Sequence, residues 1–153
     1  MLVTFFDSKG IIHKEFVPTG QTVSGAYYIE VLKRLMGRIR RIRPEYRDPD
    51  SWCLLHDNAP SHTSLIVRQF LARNQVYVLN HPPYSPDLAQ CDFSLFPKLK
   101  MKLKGCFFED IETIQTASTC VLEAIPQNEL EPAFESLLNR YNSCIESGGE
   151  YFE

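Results

Sequence analysis

No apolar run in the 153-residue sequence approaches the roughly 18–20 residues that a bilayer-spanning helix requires. The opening segment "MLVTFFDSKG" lacks the basic stretch and long apolar core of a secretory signal peptide. There is no C-x-x-C pair. The five cysteines (Cys53, Cys91, Cys106, Cys120 and Cys144) are odd in number and widely spaced, which speaks against a disulfide frame or a zinc ribbon and for thiols kept reduced. Repeats and low-complexity tracts are missing, and no interdomain linker interrupts the chain. With 44% apolar and 23% charged residues, the expectation is one globular domain spanning 1–153 with a sizeable core.

Basic residues are nearly absent from the last third. Residues 105–153 hold one Lys/Arg against ten Asp/Glu, whereas residues 1–50 and 51–104 each carry a net +3. The whole chain has a net charge of −3, so it is not a uniformly basic nucleic-acid binder. Its positive charge gathers in "KRLMGRIRRIRPEYR" (33–47) and "KLKMKLK" (98–104). Arg38, Arg40 and Arg41 in the first and Lys98, Lys100 and Lys102 in the second are the candidate contacts for a polyanion, or equally the solvated faces of two helices.

Short apolar segments "LVTFF" and "IIHKEFV", separated by "DSKG", read as a β-hairpin. "TVSGAYYIEVLKRLMGRI" then places Val31, Leu32, Leu35 and Ile39 at helical spacing, with Thr22 as the N-cap. "WCLLH" (52–56) reads as a strand buried on both faces. "SHTSLIVRQFLARN" reads as a helix turning Leu65, Ile66, Phe70 and Leu71 to the core, and "QVYVLN" as another strand. "HPPYSPD" is a proline loop, after which a helix from Asp92 stops at Gly105, and helices over roughly 110–125 and 128–146 follow. The order β-β-α-β-α-β and then helices implies an α/β fold with a parallel portion of sheet and an antiparallel hairpin at its edge.

Asp57 stands in "HDNAPSH" at the carboxyl end of the "WCLLH" strand, where open α/β sheets place their sites. Asp92 opens a helix after the proline loop in "YSPDLAQCDF". Taken singly, Asp57 with Asn58 can close a turn and Asp92 can cap a helix. As a pair from different elements they are hard oxygen ligands suited to Mg²⁺ or Mn²⁺, and two such ions support phosphodiester chemistry when further carboxylates join them. His56, His62, His81 and Cys91 fit no usual zinc spacing.

"HDNAPSHTS" followed by "HPPYSPDLAQCDFSLFPKLKMKLKG" resembles the catalytic core of mariner-type (Tc1/mariner) DNA transposases, whose second and third catalytic aspartates are separated by thirty-four residues, as Asp57 and Asp92 are. "TFFDSKGIIHKEFVPTGQTVSGAYY" and "CIESGGEYFE" resemble flanking parts of that family, so the likeness covers the whole chain. It departs from the commonest pattern at Gln90 and Phe93, neither of them a metal ligand. The resemblance implies a ribonuclease-H-like mixed sheet with flanking helices, a two-metal Mg²⁺ or Mn²⁺ site using Asp57 and Asp92, and cut-and-paste transposition into a TA step of double-stranded DNA. A homodimer and residence in the nucleus are the corresponding expectations for assembly and location, with no membrane role.

The third carboxylate is harder to place. Asp7 follows the first apolar segment, but it also begins the turn sequence "DSKG", and only one strand and one helix separate it from "WCLLH". In the mariner pattern "MLVTFFDSKG" matches the second strand, so the first, central strand with its aspartate lies upstream of this sequence. The expectation is a truncated catalytic domain, inactive alone, whose sheet lacks its central strand. It would join the two edges, borrow a strand or stay loose. Two other functions compete: a non-catalytic nucleic-acid- or protein-binding module, and a compact phosphodiesterase using Asp7, Asp57 and Asp92.

Overall fold

The computed structural model describes residues 1–48, 51–56, 59–79 and 95–146. The chain divides into two compact units: Met1–Phe5 with Ile12–Tyr84, and Phe6–Ile11 with Ser85–Glu153.

Strands β1 (Leu2–Asp7) and β2 (Gly10–Phe16) pair with each other as a two-stranded sheet. Two residues join them, a connection that only an antiparallel pair can take. At the tip the Asp7 carboxylate accepts hydrogen bonds from the backbone N–H of Lys9 (2.9 Å) and of Gly10 (3.1 Å). At the open end the Val17 N–H donates to the Met1 carbonyl at 2.8 Å.

Helix α1 (Gly25–Ile42) supplies the core of the first unit. Tyr28, Val31, Leu32, Leu35 and Ile39 recur at the three-to-four-residue spacing of one helix face and are all buried. Its N-cap is Ser24, whose hydroxyl accepts from the Tyr27 N–H, and not the Thr22 expected from sequence. Both residue types can cap, and the apolar periodicity does not resolve a shift of two positions. Ile12 from β2, Leu54, Val67, Leu71 and Val76 complete this core, and Trp52 packs against its margin.

β3 (Cys53–Leu54) and β4 (Tyr77–Val78) pair in parallel, with Cys53 opposite Tyr77 and Leu54 opposite Val78. The expected parallel portion of sheet is therefore present. The expectation of a strand buried on both faces is not met. Leu54 is buried but Cys53 is exposed, and its partner Tyr77 is 64% exposed, so one face of this short ladder is open. Among the described residues the hairpin and the β3–β4 pair remain two separate two-stranded sheets. The expected joining of the two edges is not seen among the described residues.

The single helix expected after "NAP" is two: α2 (Pro60–Thr63) and α3 (Leu65–Arg73). Ser64 has an extended backbone (ψ 152°) that breaks the hydrogen-bond ladder and resets the helical phase. Within α3, Val67 and Leu71 face the core with Phe70 at its edge, while Leu65 and Ile66 are 62% and 47% exposed, contrary to expectation. α3 closes in a Schellman motif. The Val76 N–H reaches the Leu71 carbonyl and the Gln75 N–H reaches that of Ala72, with Gln75 in the left-handed region at φ 58°.

The second unit contains α4 (Phe96–Leu103), α5 (Ile111–Glu123) and α6 (Gln127–Glu146). Leu95, Leu99, Leu122, Leu130 and Ala133 are buried there, and Phe6 from the hairpin tip meets Phe134 edge-on at 5.7 Å between ring centroids. Gly105 follows α4 at φ +81°, the helix-terminating glycine expected from sequence. Asp110 caps α5, accepting from the N–H and hydroxyl of Thr113, and these bonds hold its carboxyl below the usual range. No described helix is long and apolar enough to cross a membrane.

Candidate metal centre and nucleic-acid surface

Asp57 and Asp92 lie outside the described residues, as do Asn58, His81 and Cys91. The surroundings of Asp57 are described on both sides. His56 follows the end of β3, and His62 sits in α2, which begins at Pro60. The Tyr28 hydroxyl, from α1, is 2.9 Å from His56 Nδ1. The Tyr28 ring stacks on His62 with centroids 4.1 Å apart, and the two imidazoles stack on each other at 5.0 Å with planes only 11° apart. Three rings, from α1, α2 and the segment just after β3, thus gather beyond the carboxyl end of β3.

The stacking decides one chemical question. Imidazole lone pairs lie in the ring plane, so two rings in parallel, offset planes cannot both aim at one ion. His56 and His62 are held here as an aromatic stack and not as a zinc pair. Among the described residues, no group of three or more His, Cys, Asp or Glu side chains gathers in a metal-binding arrangement. The metal-ligating candidates remain the two aspartates. As carboxylates they have the hard oxygen donors that Mg²⁺ and Mn²⁺ prefer.

Asp7 has a different employment. Its carboxylate closes the β1–β2 turn through the Lys9 and Gly10 amides, the local role that "DSKG" suggests.

Six cations were candidates for polyanion contact, and the structure sorts them. Arg38 is half-buried and its Nε donates to the Ile12 carbonyl at 3.3 Å, tying α1 to β2. Lys98 donates to the Glu129 carbonyl at 3.1 Å and lies 3.7 Å from the Glu129 carboxylate, tying α4 to α6. Arg40, Arg41, Lys100 and Lys102 are exposed, in the last turns of α1 and α4. Sequence reasoning passed over Arg34. It forms a two-pronged pair with Glu15 across α1 and β2, at 2.6 and 2.9 Å. A Glu and an Arg nineteen residues apart carry no local signal for such a pairing.

The helices flanking short strands, with His56 just beyond β3, are those of a mixed α/β domain. Residues 9–115 match the family described as DDE superfamily endonuclease, and this chain belongs to that family. Among its relatives, the Mariner Mos1 transposase of Drosophila mauritiana is 34% identical over 154 residues, covering 100% of this chain and 45% of that protein. The chain therefore spans a little under half the length of this curated relative.

Among solved structures, the Mos1 transposase catalytic domain with Raltegravir and Mg matches at a TM-score of 0.92 and 35% identity, over 99% of this chain and 76% of that one. The Mos1 transposase paired-end complex with the left transposon end matches at 0.91 and 36%, over 99% and 44%. Other solved forms of Mos1 contain Mn. These likenesses establish the mixed α/β, ribonuclease-H-like fold for this chain.

Proposed function

We propose that this chain is part of the catalytic domain of a mariner-type DNA transposase, with its two compact units belonging to one ribonuclease-H-like domain. The observation that carries this reading is the joint one: the separation of Asp57 and Asp92 matches the family spacing, within a chain whose backbone follows the Mos1 catalytic domain over 99% of its length. Asp57 and Asp92 would hold Mg²⁺ or Mn²⁺, the ions found with the Mos1 structures. Bound there, the metal would supply Lewis-acid stabilisation for cleavage and transfer of a DNA strand. Arg40, Arg41, Lys100 and Lys102 would meet phosphates of double-stranded DNA, the transposon ends and a TA-containing target. The protein would act as a homodimer in the nucleus, where such DNA is found.

Only two carboxylates of the set are assigned within residues 1–153, and two monodentate aspartates hold a pair of divalent ions poorly. Residues 1–153 alone are therefore expected to bind transposon-end DNA without cutting it. The test is to incubate the pure chain with labelled transposon-end duplex and Mg²⁺ or Mn²⁺. Binding without nicking supports the reading. Sustained nicking abolished by Asp7→Ala would establish instead a self-sufficient phosphodiesterase. Absence of both binding and nicking would count against a role on DNA.

A further inference from the structure

Gly37 stands in the interior of α1, where glycine is unfavourable relative to alanine because the unfolded chain has more conformational freedom to lose. Two internal reasons would justify it: a left-handed backbone, or a neighbour that leaves no room for a side chain. Neither holds. Gly37 is not among the glycines with positive φ, and the place its Cβ would take has no atom within 4 Å among the described residues. Gly25 in the same helix is the contrast, since a Cβ there would come within 2.5 Å of Ser64 Oγ.

The surroundings of Gly37 have one chemical character. At about 100° per residue, Gly37 points away from the buried face made by Tyr28, Val31, Leu32, Leu35 and Ile39. Its neighbours three and four positions away on the helix surface are Lys33, Arg34, Arg40 and Arg41, all of them exposed. Over the whole of α1 there are five cations and one carboxylate, Glu30. Arg40 and Arg41 also suit the negative C-terminal end of the helix, but Lys33 and Arg34 lie too far from it for that explanation. Lys33 is held by Glu30 at 3.0 Å and Arg34 by Glu15 at 2.6 Å, so this pair of cations is steadied on the N-terminal side of the glycine.

We infer that Gly37 is a close-approach point for the sugar–phosphate backbone of duplex DNA, which lies against the bare helix surface between Lys33 with Arg34 and Arg40 with Arg41. The inference rests on the reading of Arg40 and Arg41 as phosphate contacts and adds to it the place where the strand is seated. The two cation pairs are about 10 Å apart along the helix axis, so a strand crossing at Gly37 meets positive charge on both flanks. A polyanion answers that charge, whereas an uncharged partner would desolvate four cations without compensation.

The experiment is fluorescence anisotropy of a fluorescein-labelled DNA duplex titrated with the full 1–153 chain, without divalent ions, across a salt series. Gly37→Leu leaves every charge in place and fills the gap. It is expected to raise the dissociation constant on the order of tenfold and to make the slope of log K against log salt shallower by about 0.9, one phosphate contact. Its melting temperature should rise by about 2–3 °C, because leucine is the better helix former. Weaker binding by a more stable protein is the result that supports the inference. Gly37→Ala, whose methyl enters open space, should shift both quantities in the same directions by less, and it serves if the leucine variant does not fold. Affinity and slope unchanged in both variants overturn the close approach alone, since wild-type binding still stands for the DNA reading. Binding that weakens only in step with a lower melting temperature traces the loss to folding and also overturns it. A wild-type chain with no salt-dependent binding overturns the DNA reading and the inference with it.

Discussion

Arg34 on α1 and Glu15 on β2 meet through two hydrogen bonds, Nη2 to Oε1 at 2.6 Å and Nε to Oε2 at 2.9 Å, while His13 Nε2 lies 2.7 Å from the same Oε2. The hairpin is thereby fastened to the main helix outside the apolar core. The Arg34 guanidinium, and secondarily His13, hold the Glu15 carboxyl below its ordinary value of 4.5 against the opposing effect of its partial burial. A lowered folded-state pKa means the pair's stabilisation is present above the unfolded carboxylate pKa and is lost as pH falls through the folded one. Glu15→Gln should therefore lower unfolding free energy by about 0.5–1 kcal/mol at pH 7, the upper range for a well-formed but half-exposed pair. Urea titrations of both proteins should converge as pH falls through the lowered folded-state pKa of Glu15 and its carboxyl becomes neutral. A gap that persists unchanged there would mean that packing, not charge, is what the variant lost.

Leu65 and Leu71 are the same residue type in one helix, but six residues of α3 place them about 240° apart around its axis, and they are 62% and 3% exposed. Leu71→Ala should cost about 2–4 kcal/mol, the range for a buried leucine. Leu65→Ala should stay within about 0.5 kcal/mol, as surface changes do. Chemical denaturation midpoints of the two variants decide the matter, and equal losses would mean that Leu65 is buried as deeply as Leu71.

Two positions in the left-handed backbone region carry opposite expectations. Gly105 sits at φ +81° with open space around the site of a Cβ, so Gly105→Ala pays only the conformational penalty, about 1 kcal/mol. Gln75 occupies the corresponding place after α3 at φ 58° without being glycine. Gln75→Gly should raise stability by up to about 1 kcal/mol, because the native conformation is strained for a residue with a Cβ. Melting temperatures moving in the same direction for both would contradict the backbone assignment.

The exposed cations should show themselves through salt. Each phosphate contact contributes about −0.9 to the slope of log K against log salt concentration on duplex DNA. Replacing Arg40 and Arg41 together by alanine should thus reduce the slope by about 1.8 if both meet phosphates. Arg38→Ala and Lys98→Ala should act mainly on stability, since their side chains already tie elements of the protein together. Fluorescence anisotropy with a labelled duplex across a salt series would separate the two groups, and a slope indifferent to Arg40 and Arg41 would place the DNA elsewhere.

Much of the fold was legible because it rests on periodicity. The α1 core face, the hairpin with Asp7 at its tip, the glycine after α4 and the two C-terminal helices all follow from short-range patterns that local sterics enforce. The misplaced features were those where neighbouring residues had equal local merit. Thr22 and Ser24 can both cap a helix, and the serine fits where the chain enters α1. "SHTSLIVRQFLARN" has helical spacing throughout, and nothing within it announces that Ser64 adopts an extended conformation.

The sequence by itself determined the two-aspartate spacing that identifies the family, the order of elements and the concentration of basic charge on two helices. These are properties of residue type and separation along the chain. Only the tertiary structure decided which cations are free to meet a polyanion, that the hairpin and the β3–β4 pair stay separate sheets, and that Tyr28 reaches across twenty-eight positions to His56. Such contacts depend on how α1 packs against the end of β3 and against α2. That packing is set by the summed burial of many side chains, and no local pattern records it.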